Sequence, residues 1–213
     1  RSMPEAIVNY LVQMSWNPPN NEEFFTLDEA ASMFDVHKVS KSPAVFDPDK
    51  LNWFNSHYIR QLPLDLVTER ARPYLTDFDL TKYSSDELKA IIAIVRESVT
   101  KLSQVKAQSA FFFSDKIEIS PELEKEALND ETAAIVLERC LGKLSDIPFG
   151  DAAGAKAIIS KVGEEAGAKG KKLFQPIRAA IQGQAHGPDL GAVISALGQS
   201  RVKARLEAAL AHC

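Results

Sequence analysis

Two stretches of the sequence carry residues that could do chemistry on a nucleotide. In "KVSKS", residues 38 to 42, two ammonium groups flank a hydroxyl, a grouping able to hold ATP phosphates. A nucleotide loop of that kind hangs on a parallel sheet and works with a companion histidine pair. The residues ahead of Lys38 read as helices, no two histidines have the required spacing, and His186-Gly187 comes on the wrong side of the chain. The second stretch, "GEEAGAKGKK", fails as a phosphate loop. Glu165 stands where a glycine is needed, and Lys171 is followed by Lys172 rather than Ser or Thr. Two readings stay open for it: a helix end with a solvated basic loop, or a loop that contacts an anion. The four histidines stand singly and give neither a zinc site nor a triad. The sequence therefore predicts no catalytic residue, no metal and no cofactor held by this chain.

What remains is a binding surface. "KGKKLFQPIRAAIQGQAHGPDL" combines Lys169, Lys171, Lys172 and Arg178 with Gln175 and with a Gly187-Pro188 turn. Amide and guanidinium groups can read base edges in single-stranded RNA, and Pro188 and Leu190 could offer an apolar edge to an unstacked base. The equally weighted alternative makes Leu173, Ile177 and Ile181 core and leaves Arg178 on an ordinary surface. Net charge is −4 over 213 residues, which by itself argues against nucleic acid. The charge is uneven, however. Residues 118 to 138 carry seven acids and one base, whereas 156 to 178 carry six bases and two acids. A mildly acidic chain can thus present a basic face.

The elements that must position these residues read as helices throughout. A length of 213 residues with 45% hydrophobic content supplies one large domain or two to three small ones. No apolar run approaches the roughly 18 residues of a membrane span. The first residues lack the pattern of a signal peptide, so a cytoplasmic setting is expected. Cys140 and Cys213 have no metal-ligand spacing and are expected as reduced thiols, Cys140 buried. Pro4 opens a helix whose apolar positions are Ala6, Ile7, Tyr10, Leu11 and Met14. Thr26 with Glu29, and Ser84 with Glu87, have capping-box spacing. Asp47 followed by Pro48, and Ser120 followed by Pro121, are further helix starts. On the helix after Asp47, Leu51, Phe54 and Tyr58 share one face and are expected as core. The fold expected is all-α, in packed helical bundles divided near residues 63 and 118.

Four blocks then give the chain a family resemblance. "MPEAIVNYLVQMSW", "FTLDEAASMFD", "SPAVFDPDKLNWFNSHYIR" and "KGKKLFQPIRAAIQGQAHGPDLGAVISALG" resemble, in order, the C-terminal portion of bacterial glutamyl-tRNA synthetases, which are class I enzymes. The resemblance implies that residues 1–63 end a stem-contact domain, and that 64–118 and 119–213 form a two-part helical anticodon-binding domain. The Rossmann catalytic domain, which uses ATP and magnesium, would be absent, and the fragment alone inactive. By the same resemblance, Gln175, Arg178, Gly187, Pro188 and Leu190 contact the second and third anticodon bases. Lys171 and Lys172 would meet phosphates, and Lys50 and Trp53 the tRNA stem. At Ser98, discriminating members of the family carry an arginine that checks the first anticodon base. Serine has no guanidinium fork. Arg96, two residues away on what reads as one helix, would face elsewhere. The expected partners are therefore tRNA-Glu and, through a relaxed first base, tRNA-Gln, bound by a monomer. The rival expectation is a helical protein-interaction scaffold without RNA binding, marked by a contiguous exposed apolar patch.

Overall fold

In a computed structural model that describes residues 2–213, the described residues form twelve α-helices and no strand. The helices are α1 (Pro4–Gln13), α2 (Leu27–Met33), α3 (Pro48–Gln61), α4 (Leu64–Ala71), α5 (Ser85–Val95), α6 (Val105–Phe113), α7 (Pro121–Ala127), α8 (Glu131–Gly142), α9 (Ala152–Ala166), α10 (Lys171–Gln182), α11 (Leu190–Leu197) and α12 (Gln199–Leu210). No described helix is long and apolar enough to cross a membrane. The all-α expectation holds. So do its start signals: the Thr26/Glu29 and Ser84/Glu87 capping boxes are both closed, and Asp47 and Ser120 each accept hydrogen bonds from the helix they precede.

The chain divides into two compact units. The first runs to Asp77 and takes back Val99–Val105; the second is Phe78–Ser98 with Lys106–Cys213. These divisions fall elsewhere than residues 63 and 118. The α4 helix belongs to the first unit, and α5, α6 and the last six helices share the second.

In the first unit α1 packs along α3. Phe54 and Ile59 are fully buried there, and Tyr10 and Trp16 nearly so. Leu51 and Tyr58 are only half-buried. The helical spacing expected for α1 exists, but its buried face is Ala6, Asn9 and Tyr10. Ile7 and Leu11 lie on the exposed side, 39% and 54% accessible. Asn55, with no exposed surface, holds the unit's distant parts together: its Oδ1 accepts from the Met3 N–H and its amide nitrogen donates to the Thr100 carbonyl. Both are backbone groups, so Asn55 ties the start of α1 to residues 99–105, whose Val99, Leu102 and Val105 are buried as well.

In the second unit α10 is the central helix, packed on α7, α8, α11 and α12. Leu173, Ile177 and Ile181 are its core residues. Arg205 on α12 is 4% exposed and donates to the carbonyls of Ile181, Phe111 and Ser114, each at 2.7 Å. It thereby meets the carbonyl ends of both α6 and α10, where unsatisfied acceptors and the negative dipole end favour a cation. Burial lowers its affinity for the proton, to a pKa of about 10. It remains charged at neutral pH. Cys140 is buried in α8, and burial pushes its thiol up to about 12, so it is an inert apolar side chain.

Candidate nucleic-acid interface

The second unit gathers the candidate residues on one side of α10. Gly170 immediately precedes the helix, and its φ of 55° and ψ of −129° suit a residue without Cβ. Lys171, Phe174 and Arg178 follow at i, i+3 and i+7 and so share a face. Leu173, Pro176, Ile177 and Ala180 turn the rest of the helix into the core.

Arg178 is fixed at one end and open at the other. Its Nη1 donates to the Pro188 carbonyl at 2.8 Å and to Gln182 Oε1 at 3.2 Å. Partial burial disfavours its charge, while Asp189 nearby favours it. Arg178 and Phe174 line two neighbouring clefts, of about 260 and 220 Å³. The first is completed by Lys156, Ile159, Asp189, Leu190 and Gly191; the second by Gly170, Lys171, Gln175, Ala185 and His186. A planar cation and an aromatic ring bordering shallow clefts are what stacking and base-edge reading need.

Gly187 belongs to the same arrangement for a steric reason. A Cβ there would lie 2.6 Å from Gln182 Oε1, the oxygen that accepts from Arg178. Pro188 and Leu190 act differently from the apolar edge expected of them. Pro188 is buried and Leu190 is 3% exposed, and the turn contributes the Pro188 carbonyl to Arg178 instead. Leu190 still lines one cleft.

Lys171 and Lys172 are less free than their sequence suggests. Lys171 pairs with Glu126 at 3.0 Å and Lys172 with Asp130 at 3.3 Å, so the acidic stretch faces the basic one. Hydrogen bonding from Lys171 and then Gln175 holds the Glu126 carboxyl below its ordinary range. Gln175, 8% exposed, donates its amide N–H to Glu126 Oε1 at 2.9 Å. A third cleft of about 230 Å³ runs between these residues, bordered by Glu126, Asp130, Lys171, Lys172, Gln175 and Pro176.

Ser98 requires a correction. The sequence places it in one helix with Arg96, but α5 ends at Val95, and Arg96 to Ser98 form the turn that follows. The helical angle between positions 96 and 98 therefore does not apply. Ser98 is exposed in that turn, with its hydroxyl donating to the Val95 carbonyl at 2.9 Å.

In the first unit Lys50 is exposed, 6.0 Å above the Phe54 ring centroid, and Trp53 is 43% exposed and packed 4.9 Å from Phe24. Lys38 and Lys41 of "KVSKS" are exposed, on either side of the extended residues that follow a short 3-10 turn, Val36–Lys38. Among the described residues no cluster of three or more His, Cys, Asp or Glu is placed to hold a metal. Sequence reasoning missed Phe174, Lys156 and His186 as cleft residues. The i, i+3, i+7 spacing of Lys171, Phe174 and Arg178 was the available signal.

A family model described as the anticodon binding domain matches residues 66–210. One described as tRNA synthetases class I (E and Q), catalytic domain, matches residues 2–53. Similar curated proteins include the glutamate–tRNA ligases of Desulforamulus reducens, 39% identical over 98% of this chain and 44% of the relative, and Natranaerobius thermophilus, 37% identical over 99% and 44%. The chain thus spans less than half the length of these relatives. A crystal structure of a glutamate tRNA ligase from Elizabethkingia meningosepticum, 24% identical, superposes with a TM-score of 0.79 over 99% of this chain and 41% of that one, and shows the same fold. Over residues 66–210, the segment that carries the α10 clefts, the chain belongs to the anticodon-binding domain family of tRNA synthetases.

Proposed function

We propose that this chain is the tRNA-holding and anticodon-reading portion of a glutamate–tRNA ligase. The chain spans 44% of its first relatives, so glutamate activation with ATP and magnesium is assigned to the rest of the enzyme, in the cytoplasm where tRNA is charged. The observation that carries the reading is Arg178, anchored by Pro188 and Gln182 and bordering two clefts together with Phe174. Gln175, Gly187, Pro188 and Leu190 support or flank that cation, and the second and third anticodon bases are its ligands. Lys171, Lys172, Lys50 and Trp53 are the sequence-independent contacts, with Lys171 and Lys172 exchanging a carboxylate for a phosphate on binding. An apolar scaffold without RNA binding is not favoured by the anticodon-domain match.

Anisotropy titrations of the chain with anticodon stem-loop RNAs test this reading. Affinity is expected to fall with salt in proportion to the phosphates contacted, and to fall further, by about tenfold or more, when the second or third anticodon base is changed. R178K keeps the charge but loses the fork, so it is expected to erase the base preference and keep the salt slope. Indifference of the wild-type chain to the anticodon at moderate salt sinks the proposal.

At the first anticodon base, Ser98 offers one short hydroxyl already bonded to Val95. The parent enzyme is therefore proposed to be relaxed there and to charge tRNA-Gln as well as tRNA-Glu. Charging assays of the full-length enzyme decide this, with strict rejection of tRNA-Gln as the contrary result.

A further inference from the structure

The sequence gives Gln175 an amide that could offer either a donor or an acceptor to a base. The structure removes that ambiguity. Glu126 accepts from Lys171 and from Gln175 through the same oxygen, at 3.0 and 2.9 Å. A carboxylate has no proton to give, so the branch of the Gln175 amide that faces it must be the NH2 group. The carbonyl oxygen then lies on the opposite branch. It takes no hydrogen bond among the described residues and is not fully enclosed, and Gln175 borders both the Glu126 cleft and the Arg178 cleft.

We propose that Glu126 is a specificity-determining residue that touches no RNA itself: it locks Gln175 so that an acceptor, never a donor, meets the anticodon. The base edge selected at that point must carry a donor, such as an amino or imino N–H. Arg178 presents only donors, so the two side chains together demand a base edge or pair of edges with one donor and one or more acceptors. Glu126 also tempers the cationic surface through Lys171, so it opposes indiscriminate phosphate binding while it enforces base choice. This rests on the anticodon reading proposed above.

The test compares the wild-type chain with E126Q, K171A and Q175A against anticodon stem-loops in which the second or third base is exchanged between cytidine and uridine. That exchange swaps an amino donor for a carbonyl acceptor at C4 and a ring acceptor for an imino donor at N3, so it inverts the pattern that the Gln175 acceptor and the Arg178 donors meet. Glu126 is exposed, and its replacement by Gln leaves the helix intact. In E126Q the new amide can face Gln175 with either branch, so Gln175 is free to flip. Wild type is expected to prefer one base by about tenfold. E126Q is expected to bind the preferred RNA no worse, since it loses a negative charge, yet to discriminate by only about twofold, like Q175A. K171A is expected to weaken both RNAs alike. Opposite movement of affinity and discrimination in E126Q is a pattern that structural damage does not produce. Slow exchange of the Gln175 side-chain amide protons in wild type, lost in E126Q, is the accompanying spectroscopic signature. Undiminished discrimination in E126Q overturns the role of Glu126 alone. A wild-type chain that binds both bases equally, with its Gln175 amide protons still protected, overturns anticodon reading itself and the role of Glu126 with it.

Discussion

Each of the two compact units joins segments far apart in sequence through one buried polar side chain, but they use different groups. The first unit uses a neutral amide, Asn55, between the start of α1 and residues 99–105. The second uses a guanidinium, Arg205, on the carbonyl ends of α6 and α10. Their surfaces differ as well. Of the ten large apolar side chains that are exposed among the described residues, nine, including Leu27, Val36, Val45 and Phe46, lie in the first unit and only Ile135 in the second. The second unit leaves one large apolar side chain exposed and carries the proposed binding clefts, whereas the first leaves nine exposed. The proposed base-reading residues lie on the unit whose apolar side chains are the better covered, around α10.

The sharpest way to break this comparison is to remove the clamps. Arg205→Leu would take this donor from the buried Ile181 and Phe111 carbonyls and leave the Ser114 carbonyl to Arg201 alone, and it is expected to cost about 3 kcal/mol, read by urea denaturation. Hydrogen exchange should locate the loss at α6, α10 and α12. Asn55→Ala is expected to cost less, about 2 kcal/mol, with faster exchange at Met3 and over residues 99–105. If both losses spread evenly over all twelve helices, the clamps are not local.

A smaller effect sharpens the contrast through pH. In the first unit Arg70 makes a two-pronged pair with Glu5, at 2.8 and 2.9 Å, and the hydrogen bonds from Arg70 hold the Glu5 carboxyl below its ordinary 4.5. A carboxylate with a lowered folded-state pKa stabilises fully above its unfolded value. That stability is lost as pH falls through the folded value. His57, stacked on Phe24 with centroids 3.4 Å apart, is likewise held below 6.5 by burial and then by Arg60, so its contribution is complete above about pH 6.5 and is lost on acidification. Acid is therefore expected to loosen α1, α3 and α4 progressively. Glu5→Gln should cost about 1 kcal/mol near neutrality and nothing at a pH below the folded value. The smallest effect is expected at Val45, 87% exposed, where Val45→Ser should change stability by less than about 0.5 kcal/mol.

How much of this was legible in the sequence depends on how local each signal is. Helix starts were legible because a cap and its partner sit three residues apart, as in Thr26 with Glu29 and Ser84 with Glu87. The end of α5 was not. Arg96, Glu97 and Ser98 contain no Gly or Pro, and the Ser98 hydroxyl bonds back to the preceding turn whatever lies beyond. The apolar face of α1 was visible by spacing, yet only the packing of α3 decides that Tyr10 goes in and Leu11 stays out. Around α10, Arg178 and Gln175 were visible as residue types. Their anchors were not, because Pro188 lies ten residues along the chain from Arg178 and Glu126 lies 49 from Gln175. The apparent basicity of Lys171 and Lys172 was overstated for the same reason, since the paired acids come from α7 and from the cap of α8.

Hydrogen exchange of the chain with and without an anticodon stem-loop tests the central claim most directly, because it compares the two units in one sample. The account predicts new protection around Lys171, Phe174, Arg178 and the Gly187-Pro188 turn and in the turn at Ser98, with α1 to α4 unchanged because an anticodon stem-loop lacks the inner corner of the tRNA that Lys50 and Trp53 are proposed to meet. Protection over α1 to α3 with none around Arg178 would contradict it.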